Sequence, residues 1–268
     1  MPTATDDTGV DVVLPEVVTR IVSLVPSLTE AIGRTAPQLL VGVTDWCTHP
    51  PDLSCARVGG TKNPDIAAVL DLHPDLVLAA VEENRAPDLE VLRGAGLAVG
   101  VTDIRDVDSA LRSLTRLLAG CGLGEPDWLA AAKASWAGPA PLTRRRVAVP
   151  IWRKPWMVAG ADTFTTDVLA RLGLDNVFDD PPADLADRYP KVTVDQIRQR
   201  GAELVILPDE PYVFSAADGP EAFGDLDVAL VSGRLLTWYG PSMATARDEL
   251  SAAVALARPG GEWTPAPN

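Results

Sequence analysis

Residues 67–79, AAVLDLHPDLVLA, begin with apolar positions at helical spacing and end, after a His-Pro turn, in a short aliphatic run. The pattern is a helix that hands the chain to a strand. Residues 195–207, DQIRQRGAELVIL, follow the same plan, and the two stretches superpose with a constant offset that sets Ala67 against Asp195. A helix-turn-strand unit that recurs once in each half of a chain predicts two similar α/β lobes.

Working outward, short aliphatic runs alternate with longer amphipathic stretches, as in parallel strands joined by crossover helices. In the first half the predicted strands are RIVSLV (20–25), LLVGVT (39–44), DLVLAA (75–80) and LAVGVT (97–102). The predicted helices are LTEAIGR (28–34), PDIAAVLDL (64–72), APDLEVLRGAG (86–96) and VDSALRSLTRLLAG (107–120). Residues 120–141 then carry GCGLGEP, a helical piece DWLAAAKASWA and GPAP, so Gly and Pro punctuate both ends of a connecting helix. The second half is read as strand RRRVAVPI, helix TFTTDVLARLG, helix VDQIRQRG, strand AELVILP, strand GRLLTW and helix TARDELSAAVALA, with RPGGEWTPAPN as a loose end. The expectation is therefore an N-terminal lobe over 1–120, a linker helix region over 121–141 and a C-terminal lobe over 142–268, with mainly parallel sheets and a ligand cleft between the lobes.

Composition removes several classes of function. The formal net charge of -14 opposes attachment to nucleic acid or to an anionic membrane. Three cysteines, Cys47, Cys55 and Cys121, make a poor disulfide framework. No apolar run reaches the roughly 18 residues of a membrane span, which predicts no membrane insertion. The start, MPTATDDTGVDVVLPE, has neither a basic nor an apolar leader segment, so the chain as written is expected in the cytoplasm, and outside it only if the N-terminus is incomplete.

In open α/β sheets the ligand lies beyond the carboxyl ends of the strands, so the residues after each predicted strand are the candidates. They are Pro26 and Ser27; Asp45, Trp46, Cys47 and His49; and Glu82, Glu83, Asn84 and Arg85. In the second half they are Trp152, Arg153, Lys154 and Trp156; Glu210 and Tyr212; and Trp238 and Tyr239. Four of the seven tryptophans fall on these exits, and they come from both halves. A single tryptophan there is as readily a packing residue as a contact. The set, interleaved with prolines that stiffen the loops, predicts a flat apolar ligand.

Other patterns carry less. Cys47, His49 and Cys55 have a C-x-H-x5-C spacing without the fourth ligand of a structural zinc site, and no protein-only metal site is expected. His73 is read as a surface residue of a turn. GGTK at positions 59–62 lacks the order of a phosphate-binding loop. There is no G-x-S-x-G elbow, and two histidines offer few nucleophile-base pairs, so no catalytic residue is expected.

Several motifs in order resemble one family. RIVSLVPSLTE, VGVTDWCTHPP, VGGTKNPD, HPDLVLA with the following ENR, PIWRKPWMVAG and RYPKVTVDQI are similar to the cobalamin-binding branch of the class III substrate-binding proteins, the helical-backbone metal receptor superfamily. The match runs from about Asp7 to about Ala257. The resemblance implies two α/β lobes joined by one helix, with a corrinoid or ferric chelate held between them as ligand and no other cofactor. It implies that Trp46, Trp152, Trp156 and the Trp238-Tyr239 pair surround the corrin. It also implies that importer-coupled members dock on a membrane permease through one acid per lobe. Asp195 matches the second-lobe acid, whereas the first-lobe position holds Ala67, so engagement of a permease is not expected. DWLAAAKASWA is shorter than the family's usual backbone helix. The leading expectation is a non-catalytic binder of a cobalamin-like corrinoid. One alternative is an importer's substrate-binding protein for B12, a ferric siderophore or haem; the other is a tetrapyrrole-pathway metal chelatase that uses His49 with Glu82 or Glu83.

Overall fold

The structure, a computed structural model, describes residues 3–182 and 186–263. Contacts divide the chain into two compact units. The first comprises 1–104, 108–131 and 239–241, and the second 105–107, 132–238 and 242–268.

The first unit opens with an antiparallel hairpin, β1 (Thr3–Thr5) and β2 (Asp11–Val13). The Asp7 carboxylate at its turn accepts hydrogen bonds from Asp103 N (3.0 Å) and Ser113 Oγ (2.7 Å). β3 (Ile21–Ser23), α1 (Pro26–Thr35), β4 (Leu40–Val43), β5 (Ala56–Arg57), α2 (Ile66–Asp71), β6 (Leu76–Ala80), α3 (Ala86–Gly94) and β7 (Val99–Thr102) follow. All five strands from β3 to β7 are parallel, in the order β5-β4-β3-β6-β7. The central strands are buried along their whole length, which is why they read as unbroken aliphatic runs rather than as alternation. Gly42 lets Leu72 pack closely on β4, since a Cβ there would stand 2.5 Å from Leu72 Cδ1 and displace that side chain. α4 (Val107–Gly120) keeps the bounds expected from its pattern.

α5 (Asp127–Trp136) forms within DWLAAAKASWA, where a helix is expected. Its first turn belongs to the first unit, where Trp128 Nε1 donates to Thr35 Oγ1 at 3.0 Å. Its last turn belongs to the second, where Trp136 Nε1 donates to the carbonyl of Met243 at 2.9 Å. The half-buried indole of Trp128 and the buried one of Trp136 thus each find an acceptor.

The second unit continues with β8 (Arg145–Ala148), β9 (Pro150–Trp152), β10 (Trp156–Val158), α6 (Phe164–Leu172), β11 (Leu174–Asn176), β12 (Lys191–Val192), α7 (Val194–Gln199), β13 (Leu204–Pro208), β14 (Asp227–Val231), α8 (Gly233–Thr237), α9 (Met243–Ala255) and β15 (Arg258–Pro259). Its main sheet runs β11-β8-β13-β14-β15, parallel except for the last strand. A smaller antiparallel sheet, β12-β10-β9, carries the Trp152 to Trp156 turn. The expected fold class, α/β with mainly parallel sheets in two similar halves, is the fold observed.

Three expectations need correction. GRLLTW is a helix, α8, not a strand. DVALV just before it takes the sheet position, paired with β13 over five residues, and Asp209 Oδ1 accepts the Gly233 N–H at 2.7 Å, capping the helix start. RRRVAVPI is two strands, β8 and β9, which belong to different sheets. Finally, the segment after residue 257 is ordered structure as far as Trp263: β15 closes the sheet edge, and the Arg258 guanidinium lies 4.0 Å over the Trp263 ring. The rest of that segment lies outside the described residues.

Candidate functional site

In the first unit the exits of β3, β4, β5 and β6 converge on one edge of the parallel sheet. Asn84 ties them together, since its Oδ1 accepts the Ala80 N–H at 2.9 Å and its Nδ2 donates to the carbonyl of Thr61 at 2.9 Å and, more weakly, to that of Leu24 at 3.4 Å. Its amide is buried and engaged with the backbone of three exits. Trp46 stands out from this edge, 67% exposed, with its Nε1 3.7 Å from where a Cβ on Gly60 would lie. The turn beneath it is fixed by Arg57, whose Nη1 donates to the carbonyls of Thr44 (2.8 Å) and Cys47 (2.9 Å).

The turn after β6 carries a polar cluster around Glu82 and Glu83. Burial raises the Glu83 carboxyl above its ordinary value, with Glu82 adding to the effect and Lys62 and Thr61 opposing it. Lys62 Nζ donates to the carbonyl of Glu82. Tyr239 is buried against this group, in the first unit rather than with its chain neighbour Trp238. Burial, then Glu83 and Glu82, push its phenol upward, while the hydroxyls of Ser27 and Thr102 bond to it and oppose the shift. Pro26 and Ser27 begin α1 at the same edge. Arg85 is exposed and fork-bonded to Asp88 at 2.9 and 3.1 Å.

In the second unit the exits of β9 and β13 build an aromatic ladder. Trp152 meets Tyr212 edge-on at 5.6 Å, Tyr212 meets Phe214 at 4.7 Å, and Trp156 lies parallel to Phe214 at 5.9 Å and edge-on to Phe223 at 5.2 Å. Trp152 remains 43% exposed, whereas Trp156 is part of the core packing. Arg153 caps the ladder, 5.3 Å over the Trp156 ring, and pairs with Asp218 and with Glu221 at 2.6 Å. Asp218 also accepts the Tyr212 hydroxyl at 2.6 Å, and that bond is the main reason its carboxyl lies below the ordinary value. Trp238 has the Arg234 guanidinium 6.0 Å above its ring.

The structure therefore brings Pro26, Ser27, Trp46, Asn84 and Tyr239 to one edge, and Trp152, Arg153, Trp156 and Tyr212 to another. Asp218, Glu221, Phe214 and Phe223 were not singled out because residues 214–223 have no strand or helix period; a D-G turn dipeptide was their one local signal. Among the described residues no group of three His, Cys, Asp or Glu side chains gathers to hold a metal. Cys47 Sγ instead lies 3.0 Å from Thr29 Oγ1 and 3.2 Å from Thr44 Oγ1.

No protein-family model matches the chain. In sequence it is similar to the vitamin B12-binding protein of Pectobacterium carotovorum subsp. carotovorum (strain PC1), 24% identical over 204 residues that cover 72% of each chain. A vitamin B12-binding protein of Vibrio cholerae (strain M66-2) is 24% identical over 201 residues, 71% of this chain and 70% of that one. In structure it is similar to the periplasmic vitamin B12-binding protein of Vibrio cholerae, with a TM-score of 0.68 at 19% identity over 89% of this chain and 97% of that one. A periplasmic haem-binding protein from Pseudomonas aeruginosa gives a TM-score of 0.69 at 25% identity, covering 91% of this chain and 95% of the other. These relatives are named as binding proteins, and in its ordered motifs and its fold the chain is similar to the class III substrate-binding proteins, their vitamin B12-binding members among them.

Proposed function

We propose that this chain is a non-catalytic binder of a cobalamin-like corrinoid. The observation that carries the reading is that Trp46 and Trp152, two of the largest apolar side chains available, stand 67% and 43% exposed at the carboxyl edges of their units' sheets. Exposing such area is unfavourable by roughly 25 cal/mol per Å² unless a ligand covers it. The vitamin B12-binding relatives support the same choice of ligand.

A ferric siderophore or haem would need free cations for its carboxylates. The basic groups that the sequence offers for this are already engaged: Arg153 with Asp218 and Glu221, Arg85 with Asp88, and Arg247 with the carbonyl of Pro139. Lys154, the chain neighbour of Arg153, is exposed. Guanidinium groups already held by carboxylates or carbonyls of their own unit suit a ligand rimmed by amides better than one rimmed by charges. For the chelatase reading, His49 would have to act with Glu82 or Glu83; its Nδ1 is bonded to Thr48 Oγ1 at 3.1 Å, and its ring is half-buried in the Trp46 loop.

The test is incubation with cyanocobalamin followed by desalting. Retained corrin absorbance at one ligand per chain is the expected result, and a colourless protein fraction would rule the reading out. No turnover of a tetrapyrrole with a divalent metal is expected, and a turnover abolished by His49→Ala would establish the enzyme instead.

A further inference from the structure

The small sheet β12-β10-β9 has two faces, and its register tells them apart. Trp156 stands opposite Val192, and both pack into the second unit's core with Val158. Side chains alternate across a strand, so Met157 and the residues opposite it belong to the other face. Those residues are Trp152 on β9 and Lys191 on β12. The outer face therefore carries one cross-strand row of indole, thioether and ammonium, in that order. Directly opposed side chains start roughly 5 Å apart, which sets Lys191 about 10 Å from Trp152.

The row is open. Trp152 is 43% exposed, Met157 is half-buried and Lys191 is exposed. Among the described residues Lys191 has no ion-pair partner. The other cations of these segments are committed: Arg153 is held by Asp218 and Glu221, Arg188 pairs with Asp162 at 2.9 Å, and the field of Lys154 falls on Asp218. The row thus ends in a single uncommitted charge.

Indole and thioether surfaces accept a flat apolar ring, and a lysine ammonium binds a phosphate as a point charge. A ligand that fills the whole row joins such a ring to one anion across about 10 Å. A complete corrinoid carries this pair in its nucleotide loop, as a benzimidazole-type base and a phosphodiester that stays ionised near neutral pH. Haem, with two carboxylates on one rim of its ring, would leave one of them without a cation here.

We propose that the outer face of β12-β10-β9 is a subsite for the nucleotide loop of a complete corrinoid, with the base on Trp152 and Met157 and the phosphodiester on Lys191. The proposal rests on the corrinoid reading above and adds which part of the ligand this unit recognises. Lys191 determines specificity and takes part in no chemical step.

The experiment compares two probes on the full chain by calorimetry: cyanocobalamin, and dicyanocobinamide, which lacks the base, the ribose and the phosphodiester. The parent is expected to bind cyanocobalamin more tightly by about tenfold or more, and Lys191→Gln to narrow that ratio several-fold by weakening cyanocobalamin alone. Lys191→Arg should keep the ratio, and Lys154→Gln should change it less than Lys191→Gln does. A lysine on an edge strand also keeps other strands from pairing there, and that role alone would leave the ratio unmoved. Melting curves identify a variant that fails to fold. In that event the unmodified protein decides, since the preference should shrink as ionic strength rises. Equal binding of both probes by the parent, a ratio unmoved by Lys191→Gln, or a larger effect of Lys154→Gln would overturn the subsite while leaving corrinoid binding intact. A parent that retains neither probe would instead overturn the corrinoid reading, and the subsite with it.

Discussion

Trp152 and Trp156 are four residues apart, yet their surroundings assign them different work. Trp152 meets Tyr212 edge-on and stays 43% exposed, whereas Trp156 is stacked on Phe214, edged by Phe223 and covered by Arg153. Trp152→Ala is expected to weaken cyanocobalamin binding by ~2 kcal/mol, about thirtyfold, with little change in melting temperature. Trp156→Ala is expected to cost about 3 kcal/mol of stability by opening the ladder's core. Calorimetry and denaturant melts on both variants check the split, and equal effects on both observables would refute it. Glu83 supplies a prediction about pH. Burial holds its carboxyl above 4.5 in the folded protein, so between that value and its folded value the native state keeps a proton that the unfolded chain has released. By linkage, stability falls as pH rises through that window, and the loss is complete above it. Glu83→Gln removes the ionisation, so the variant should melt higher than the parent at about pH 7, and the advantage should vanish near pH 4. A variant equally advantaged at both pH values would show that the effect is packing and not charge.

At the scale of elements, the helix-turn-strand unit was the most legible part of the chain. Its period carries the information, and α2 with β6 and α7 with β13 appear where AAVLDLHPDLVLA and DQIRQRGAELVIL place them. The turn between helix and strand needs a left-handed residue, and the two copies meet that need differently: Gly201 has φ 72°, while the equivalent residue of the first copy, His73, has φ 44°. His73 is thus a turn residue bearing a side chain in a conformation that disfavours one by roughly 1–2 kcal/mol. His73→Gly is expected to leave stability unchanged or raise it by up to about 1 kcal/mol, and His73→Val to lower it by about 1–2 kcal/mol, because a branched Cβ fits that region worst. Urea midpoints at constant slope would measure both, and a stabilising valine would be incompatible with the turn described. The elements that escaped sequence reading share one property: their identity is decided by partners distant in the chain. GRLLTW has strand-like composition, but DVALV already fills the place beside β13, and Asp209 caps the start of the helix. The short strands β5, β12 and β15, two residues each, are too brief to show a period. The same reason hid Asp218, whose role comes from Arg153 and Tyr212 rather than from its own neighbours. Trp46 and Trp152 were visible because a large apolar residue just after a strand is unusual by itself.

For the whole molecule, the two copies are in register residue by residue. α2 and α7 both have six residues, β6 and β13 both have five, and one constant offset relates all four, with N-caps at Asp65 and Thr193. The second position of the helix is therefore Ala67 in the first copy and Asp195 in the second. Asp195 is well exposed, with only a 3.5 Å ion pair to Arg198 on its own helix, so its carboxylate is available to an outside cation. Ala67 is exposed as well, but has nothing to offer one. Asp65 does not replace the missing acid, because its carboxylate already caps α2 by accepting the Ala68 N–H at 3.0 Å. Asp71 closes the other end of the helix, one turn further on. If a symmetric importer must be gripped by one acid from each half, as the family resemblance implies, this chain presents half of the grip, and losing one interfacial charge pair costs from a few tenths to several kcal/mol. The expectation is that the parent, reconstituted with a B12 importer in liposomes, stimulates uptake of labelled cobalamin little above background. Ala67→Glu should raise that stimulation several-fold. The added acid lies in the first turn of α2, where the helix dipole favours a negative charge, so the gain should come without loss of stability. Asp195→Asn in the Ala67→Glu background should abolish the gain. Strong stimulation by the unmodified chain would show that docking does not depend on this pair of positions and would restore the importer role outright.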